Sequence, residues 1–238
     1  QGTLFGKNAS AGVVNVISKG PSEENEAYVD FSWFEDNEFR VKAAISGPLS
    51  DTVRYRLNAF QGTFDGHISN SFDGESTMGY DRAGVRGQLA VDASENLSLR
   101  FIADWNTRND RCCADVLTGG ATDPISVVLE DGTNSANRSI NQDHITDDRG
   151  DAWSVQMNAD YELENHVITS ITSYRTWEGL STLDLDFGPN SFEQGPLFEH
   201  DGGFFEQGIR DNGSIEGEQF SQEGRITSTG DGALDYTV

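Results

Sequence analysis

Apolar and polar side chains alternate with a period of two along most of the chain, in segments of about ten residues, the length of a barrel strand that crosses a bilayer. Residues 27–34 put Ala27, Val29, Phe31 and Trp33 on one face and Tyr28, Asp30 and Ser32 on the other. Residues 38–46 set Phe39, Val41, Ala43 and Ile45 against Arg40, Lys42 and Ser46, and residues 53–60 set Val53, Tyr55, Leu57 and Ala59 against Arg54, Arg56 and Asn58. In residues 83–91 Ala83, Val85, Leu89 and Val91 oppose Arg86 and Gln88. Residues 97–105 place Leu97, Leu99, Phe101, Ala103 and Trp105 opposite Ser98, Arg100 and Asp104. Residues 153–163 place Trp153, Val155, Met157, Ala159, Tyr161 and Leu163 opposite Ser154, Gln156, Asn158, Asp160 and Glu162. Two further strands, 166–177 and 218–228, alternate less cleanly, and neither is assigned faces.

Alternation alone fits two architectures. A soluble sandwich turns the apolar faces toward each other, whereas a barrel in lipid turns them outward. Connection lengths separate the two. Short connections fall at 47–52, 93–96, 163–166 and 229–233, and long loops at 65–79, 107–151 and 178–216, in strict alternation after a small turn at 35–37. In an up-and-down meander this gathers every long loop at one end, as outer-membrane barrels do. Trp33, Trp105, Trp153 and Trp177 all fall at that long-loop end, where an aromatic girdle meets the headgroups. The expected fold is therefore all-β: a transmembrane antiparallel up-and-down β-barrel, partial, with about eight to nine strands.

Charge narrows the partners. Sixteen Lys and Arg against 40 Asp and Glu give a net charge of −24, which argues against nucleic acid, since binding a phosphate backbone needs clustered cations. The three long loops carry −16 of that charge. Such a rim either concentrates a cationic or metal-bearing ligand or is a solvated surface suited to divalent cations. No uninterrupted apolar run reaches the roughly 18–20 residues of a membrane helix, and a mean hydropathy of −0.53 decides nothing about a barrel. The four histidines, His67, His144, His166 and His200, have neither metal-ligand nor triad spacing, and no catalytic motif occurs. Catalysis is unsupported, and no cofactor is expected.

The opening segment, QGTLFGKNASAGVVNVISKG, reads differently from the strands. Gly6-Lys7 after Gly2 invites comparison with a phosphate loop, but the spacing is one residue short and Asn8 stands where Ser or Thr would hold magnesium. The segment instead resembles the end of the plug domain of TonB-dependent outer-membrane receptors. Gly2, Leu4, Phe5, Gly6, Lys7, Asn8, Ala9, Gly12, Asn15, Val16, Ile17, Ser18 and Lys19 fall on that family's signature, with Ala11 standing where many members have glycine. GPLSDTVRYRLNAF, ITSITSYRTWEG and FSQEGRITS are also similar to the family's early barrel segments.

The resemblance implies that residues 1–20 are the C-terminal end of a plug domain and residues 21–238 the N-terminal part of a barrel of roughly 22 strands. Unpaired strands at both edges of such a piece predict that it does not close as a stable barrel alone. The resemblance also implies import of a scarce solute across the outer membrane, most often a ferric siderophore. The inner-membrane proton gradient would drive it through a TonB complex that grips plug residues preceding Gln1. The competing readings are a passive porin or adhesin barrel, which needs no plug, and a secreted all-β carbohydrate-active protein, which needs paired carboxylates in a cleft. Cys112 and Cys113, adjacent in the longest loop, are expected to form a vicinal disulfide in an exported protein, ahead of free or metal-binding thiols. Phe187, Phe192, Phe198, Phe204 and Phe205 offer stacking surfaces for a small-molecule ligand or pack a loop onto its neighbours.

Overall fold

The computed structural model describes residues 16–114, 116, 136–144, 146–185, 210–229 and 234–238. They form eleven strands: β1 (Glu26–Phe34), β2 (Glu38–Ser50), β3 (Val53–Phe64), β4 (Ile68–Asn70), β5 (Ser76–Thr77), β6 (Gly79–Ser94), β7 (Leu97–Arg111), β8 (Ser139–Ile140), β9 (Asp147–Leu163), β10 (His166–Asp184) and β11 (Arg210–Ser228). Eight of them make one antiparallel sheet in the order β1-β2-β3-β6-β7-β9-β10-β11. Each long strand pairs with the next long strand in the chain, the meander that the alternation of loop lengths implies. Past β11, Thr237 bridges back to Thr227. A three-stranded sheet, β5-β4-β8, is built from the two loops that leave the top of β3 and β7.

Hydrogen-bonded partners in a sheet point to the same side, so the register assigns the faces. Val29 pairs with Ala43 and Ala43 with Ala59. Ala59 pairs with Val85, Val85 with Trp105 and Trp105 with Trp153. Among the described residues this apolar face has no second layer against it. Phe31 is 61% exposed, Trp33 72% and Phe220 68%, whereas a sandwich would bury such residues between its sheets. The apolar face is the outside of a barrel wall.

The apolar band does not follow one hydrogen-bonded row. The row through Trp33 on β1 continues through Phe39, Thr63, Asp81 and Asn109 to Arg149 on β9. The row through Trp105 and Trp153 reaches β1 at Val29, four residues nearer the short-turn end than Trp33. Rows run perpendicular to strands, so strands tilted in an upright wall make the membrane plane cut the rows obliquely. The drift of the band is that tilt written in residue types.

The strands run further than their alternation. Glu178 pairs with Glu216 and with Asp151, and the β10–β11 ladder continues to Asp184 and Arg210. The long loops 107–151 and 178–216 are therefore shorter than the sequence implies, and 65–79 contains the β4–β5 hairpin. Above the lipid both faces meet water, so polar residues occupy both and period two disappears while the ladder persists. The register also moves Trp177 off the outer face: Trp153 pairs with Thr176, so Trp177 points inward, opposite Ala152 and Gly217. Its indole covers Gly217, where a Cβ would lie 2.2 Å from the ring. Trp33, Trp105 and Trp153 stay on the lipid side.

Candidate functional site

The inward face of the wall carries most of the chain's arginines, and they are paired across strands. Arg82 on β6 stands directly opposite Arg108 on β7, and Asp110 opposite Asp148 on β9. Arg82 donates to both Asp110 oxygens at 2.8 and 2.7 Å, and Arg108 to Asp148 at 3.0 Å. The diagonal pairs thus offset two like-charge oppositions. One level down, Arg86 and the Ser154 hydroxyl share Asp104. At the loop end Glu38 accepts from the Tyr80 hydroxyl at 2.5 Å and from Arg40. On this face cations and acids are close to balanced, in contrast to the strongly acidic loops.

Nearer the short turns this face holds a second strand of chain. From Ser18 onward the chain lies against it before entering β1. Gln88 donates its side-chain amide to the Lys19 carbonyl at 3.0 Å, and Arg100 donates to the Ser18 carbonyl at 3.4 Å and to the Gln88 amide oxygen. The Ser46 hydroxyl accepts from the Ser22 amide at 2.9 Å and donates to the Tyr55 carbonyl at 2.7 Å. Glu26 lies between Lys19 at 2.7 Å and Arg56 at 2.5 Å. Arg54 bridges Glu23 and a bidentate Asp92. Under this cover Ser46, Arg56 and Gln88 are buried, each 5% exposed or less. Sequence reasoning placed these residues on the polar face but gave them no role. Their spacing from the segment, 69 residues for Gln88 and 82 for Arg100, leaves no local signal.

At the long-loop end, Ile68, Ala114 and Ile140 form a small buried apolar cluster with Val116 against it. Asn70 ties it together, donating to the Gln142 carbonyl at 2.8 Å and accepting from the Gln142 amide at 3.0 Å. The link from β7 to this cap passes through Cys112 and Cys113, whose sulfurs are bonded to each other. Thr146 donates its hydroxyl to the Cys112 carbonyl. Gly66, at φ 101°, makes the exit from β3: a Cβ there would lie 2.0 Å from the Thr77 carbonyl oxygen, which only glycine avoids. Among the described residues no group of three or more His, Cys, Asp or Glu side chains is arranged to hold a metal ion. The plug-motif residues Gly2, Leu4, Gly6, Asn8, Ala9, Gly12 and Asn15 lie outside the described residues, as do Phe187, Phe192, Phe198, Phe204 and Phe205.

A tilted antiparallel wall with a lipid-facing band, a charged inner face and a leading segment laid along that face defines part of a membrane barrel. Comparison with known proteins agrees. The chain is 29% identical over 86 residues to the pesticin receptor of Yersinia pestis, covering 36% of this chain and 13% of that protein. It is 28% identical over 106 residues to the ferric-pyoverdine 358 receptor of Pseudomonas putida, covering 44% and 12%. The crystal structure of the ferric yersiniabactin uptake receptor FyuA from Yersinia pestis superposes with a TM-score of 0.77 at 18% identity, over all of this chain and 33% of that one. No protein-family model matches the chain. The chain is similar to outer-membrane siderophore receptors and has the fold of their barrel wall, not closed over the described residues. Its place is the outer membrane. The matched stretches span about an eighth of the length of the curated relatives.

Proposed function

We propose that the protein containing this chain is an outer-membrane uptake receptor for a ferric siderophore. On this reading residues 1–20 end a plug, residues 21–238 begin the barrel around it, and energy reaches the plug from the inner-membrane proton gradient through a TonB complex. The observation that carries the proposal is the placement of residues 18–26 on the polar inner wall, held by Gln88, Arg100, Ser46 and Arg56. A passive porin has no use for a chain segment clasped inside its lumen. The similar receptors supply the ligand class, since ferric pyoverdine and ferric yersiniabactin are both iron chelates.

The test is uptake of radiolabelled iron as its yersiniabactin or pyoverdine chelate by cells carrying the full-length protein, with and without a proton uncoupler. Uptake of one chelate that stops when the gradient collapses is the expected result. Uncoupler-insensitive uptake points to a passive pore, and failure of both chelates removes this ligand class.

A further inference from the structure

The segment that joins the opening residues to β1 is gripped in an unusual way. Its contacts at Ser18, Lys19 and Ser22 are made through backbone atoms: two carbonyls accept from Arg100 and Gln88, and one amide donates to Ser46. The grip therefore reads the path of the chain and not its side chains. Its partners sit on three strands, β2, β6 and β7, and each is braced by a second wall group: Gln88 by Arg100, Ser46 by the Tyr55 carbonyl. Bracing removes rotamer freedom before the segment docks, so less is lost on docking. At Gly20 the chain passes beside the Arg100 guanidinium, at a distance where a Cβ would make an ordinary contact of 3.6 Å. Salt bridges to Glu23 and Glu26 then fasten the stretch just before and at the start of β1.

From this geometry we infer that residues 18–26 form a fixed clasp that marks where displacement of the plug stops, with Arg100, Gln88 and Ser46 as the positioning residues. The inference rests on the transport reading for the existence of a pull, and adds to it where the pull ends. Tension arriving along the chain from upstream meets Ser18 and Lys19 first, where donors from two strands share it. Residues within the clasp stay on the wall, whatever the pull does to the chain ahead of them.

Two arms test this in the full-length receptor. In a C112S/C113S background, S22C with S46C locks the segment to β2 on oxidation, and mass spectrometry reports the crosslink. Because a clasp that never opens loses nothing by being locked, the oxidised protein is expected to take up the same iron chelate within roughly twofold of its reduced form. A loss of tenfold or more that reduction restores would overturn the fixed stop. In the second arm, an S18C reporter, at a half-buried position held only through its backbone carbonyl, is labelled with a membrane-impermeant maleimide from the periplasm, in the wild-type wall and with R100A and Q88A. Losing each backbone hydrogen bond raises the open fraction by roughly two- to tenfold, so labelling in the double variant is expected to rise by roughly fourfold or more. Unchanged labelling would overturn the clasp. An unlocked receptor that imports neither chelate would instead count against the transport reading, and labelling of the reporter would still decide whether the clasp exists.

Discussion

Two neighbouring pairs of strands in the same sheet are built on different chemistry. Across β7 and β9 the outward partners are Trp105 with Trp153, Ala103 with Val155, Phe101 with Met157 and Leu99 with Ala159. Across β10 and β11 they are Thr176 with Glu218, Tyr174 with Phe220, Thr172 with Gln222, Ser170 with Gly224 and Ile168 with Ile226. In these rows the first pair is apolar and sets its register by the lipid, because a slip of one residue would put Arg100, Asp104 and Ser154 into hydrocarbon. The second pair is held by hydroxyl and amide bonds within the face: Thr172 donates to Gln222 at 2.5 Å, Gln222 donates to Ser170 at 3.0 Å, and Tyr174 donates to Glu218 at 2.7 Å. Inside, β6, β7 and β9 are laced by ion pairs, while Ser173 and Ser221 meet as hydroxyls at 2.7 Å. Lipid contact dictates one region, and the length of a 19-residue ladder dictates the other.

The largest expected effect comes from charging the outer face. Met157→Arg places a cation inside the apolar band and is expected to cost about 2–4 kcal/mol in reversible unfolding of the full-length protein from bilayers. Thr172→Arg, at its direct partner on β10 in the same row, falls among groups that already hydrogen-bond and is expected to cost less than half as much. Equal costs would erase the distinction between the two regions.

A smaller effect is expected on the inner face. Asp110→Ala removes the bidentate partner of Arg82 and leaves Arg82 opposite Arg108 with one acid fewer. Arg82 is half exposed, so screening limits the loss to roughly 1–2 kcal/mol. Ser221→Ala, which removes the hydroxyl contact to Ser173, is expected to cost about 0.5–1 kcal/mol by the same unfolding measurement. A larger loss at Ser221 than at Asp110 would reverse the ranking of the two regions.

The contrast also explains which parts of the fold were legible. Trp105 and Trp153 announce their shared face because every second residue around them is apolar. Trp177 does not, because Val167 and Ile171 lie on the inner face while Ile168 and Tyr174 lie on the outer, so either face looks apolar. The upper halves of β9, β10 and β11 left no trace in the pattern, since water on both sides removes the reason to alternate. The clasp was half legible. Arg54, Arg56, Gln88 and Arg100 were assigned to the polar face, but only the folded wall brings them to residues 18–26, because their partners are distant in the chain.

The smallest expected effect is confined to the cap. Reciprocal alkylation defines the starting state: the unreduced protein takes up no alkyl group at Cys112 or Cys113, and the reduced protein takes up one at each. With C112S and C113S, the cap loses a covalent restraint at the end of β7, but the hydrogen bonds of Asn70 to Gln142 and of Ser69 and Ser71 to the residues around β8 remain. Global stability is therefore expected to change by less than about 1 kcal/mol, since the bond closes no chain loop that the unfolded state must pay for. Local opening is different. Hydrogen exchange at the Ser69 and Ser71 amides is expected to quicken, because a freer end of β7 lets the β4–β8 pairing open without unfolding the wall. Exchange at Thr172 and Gln222 stays as it was, two ladders away. Faster exchange there as well would mean that the cap and the β10–β11 pair open as one unit, and that the two regions share a single cooperative fold.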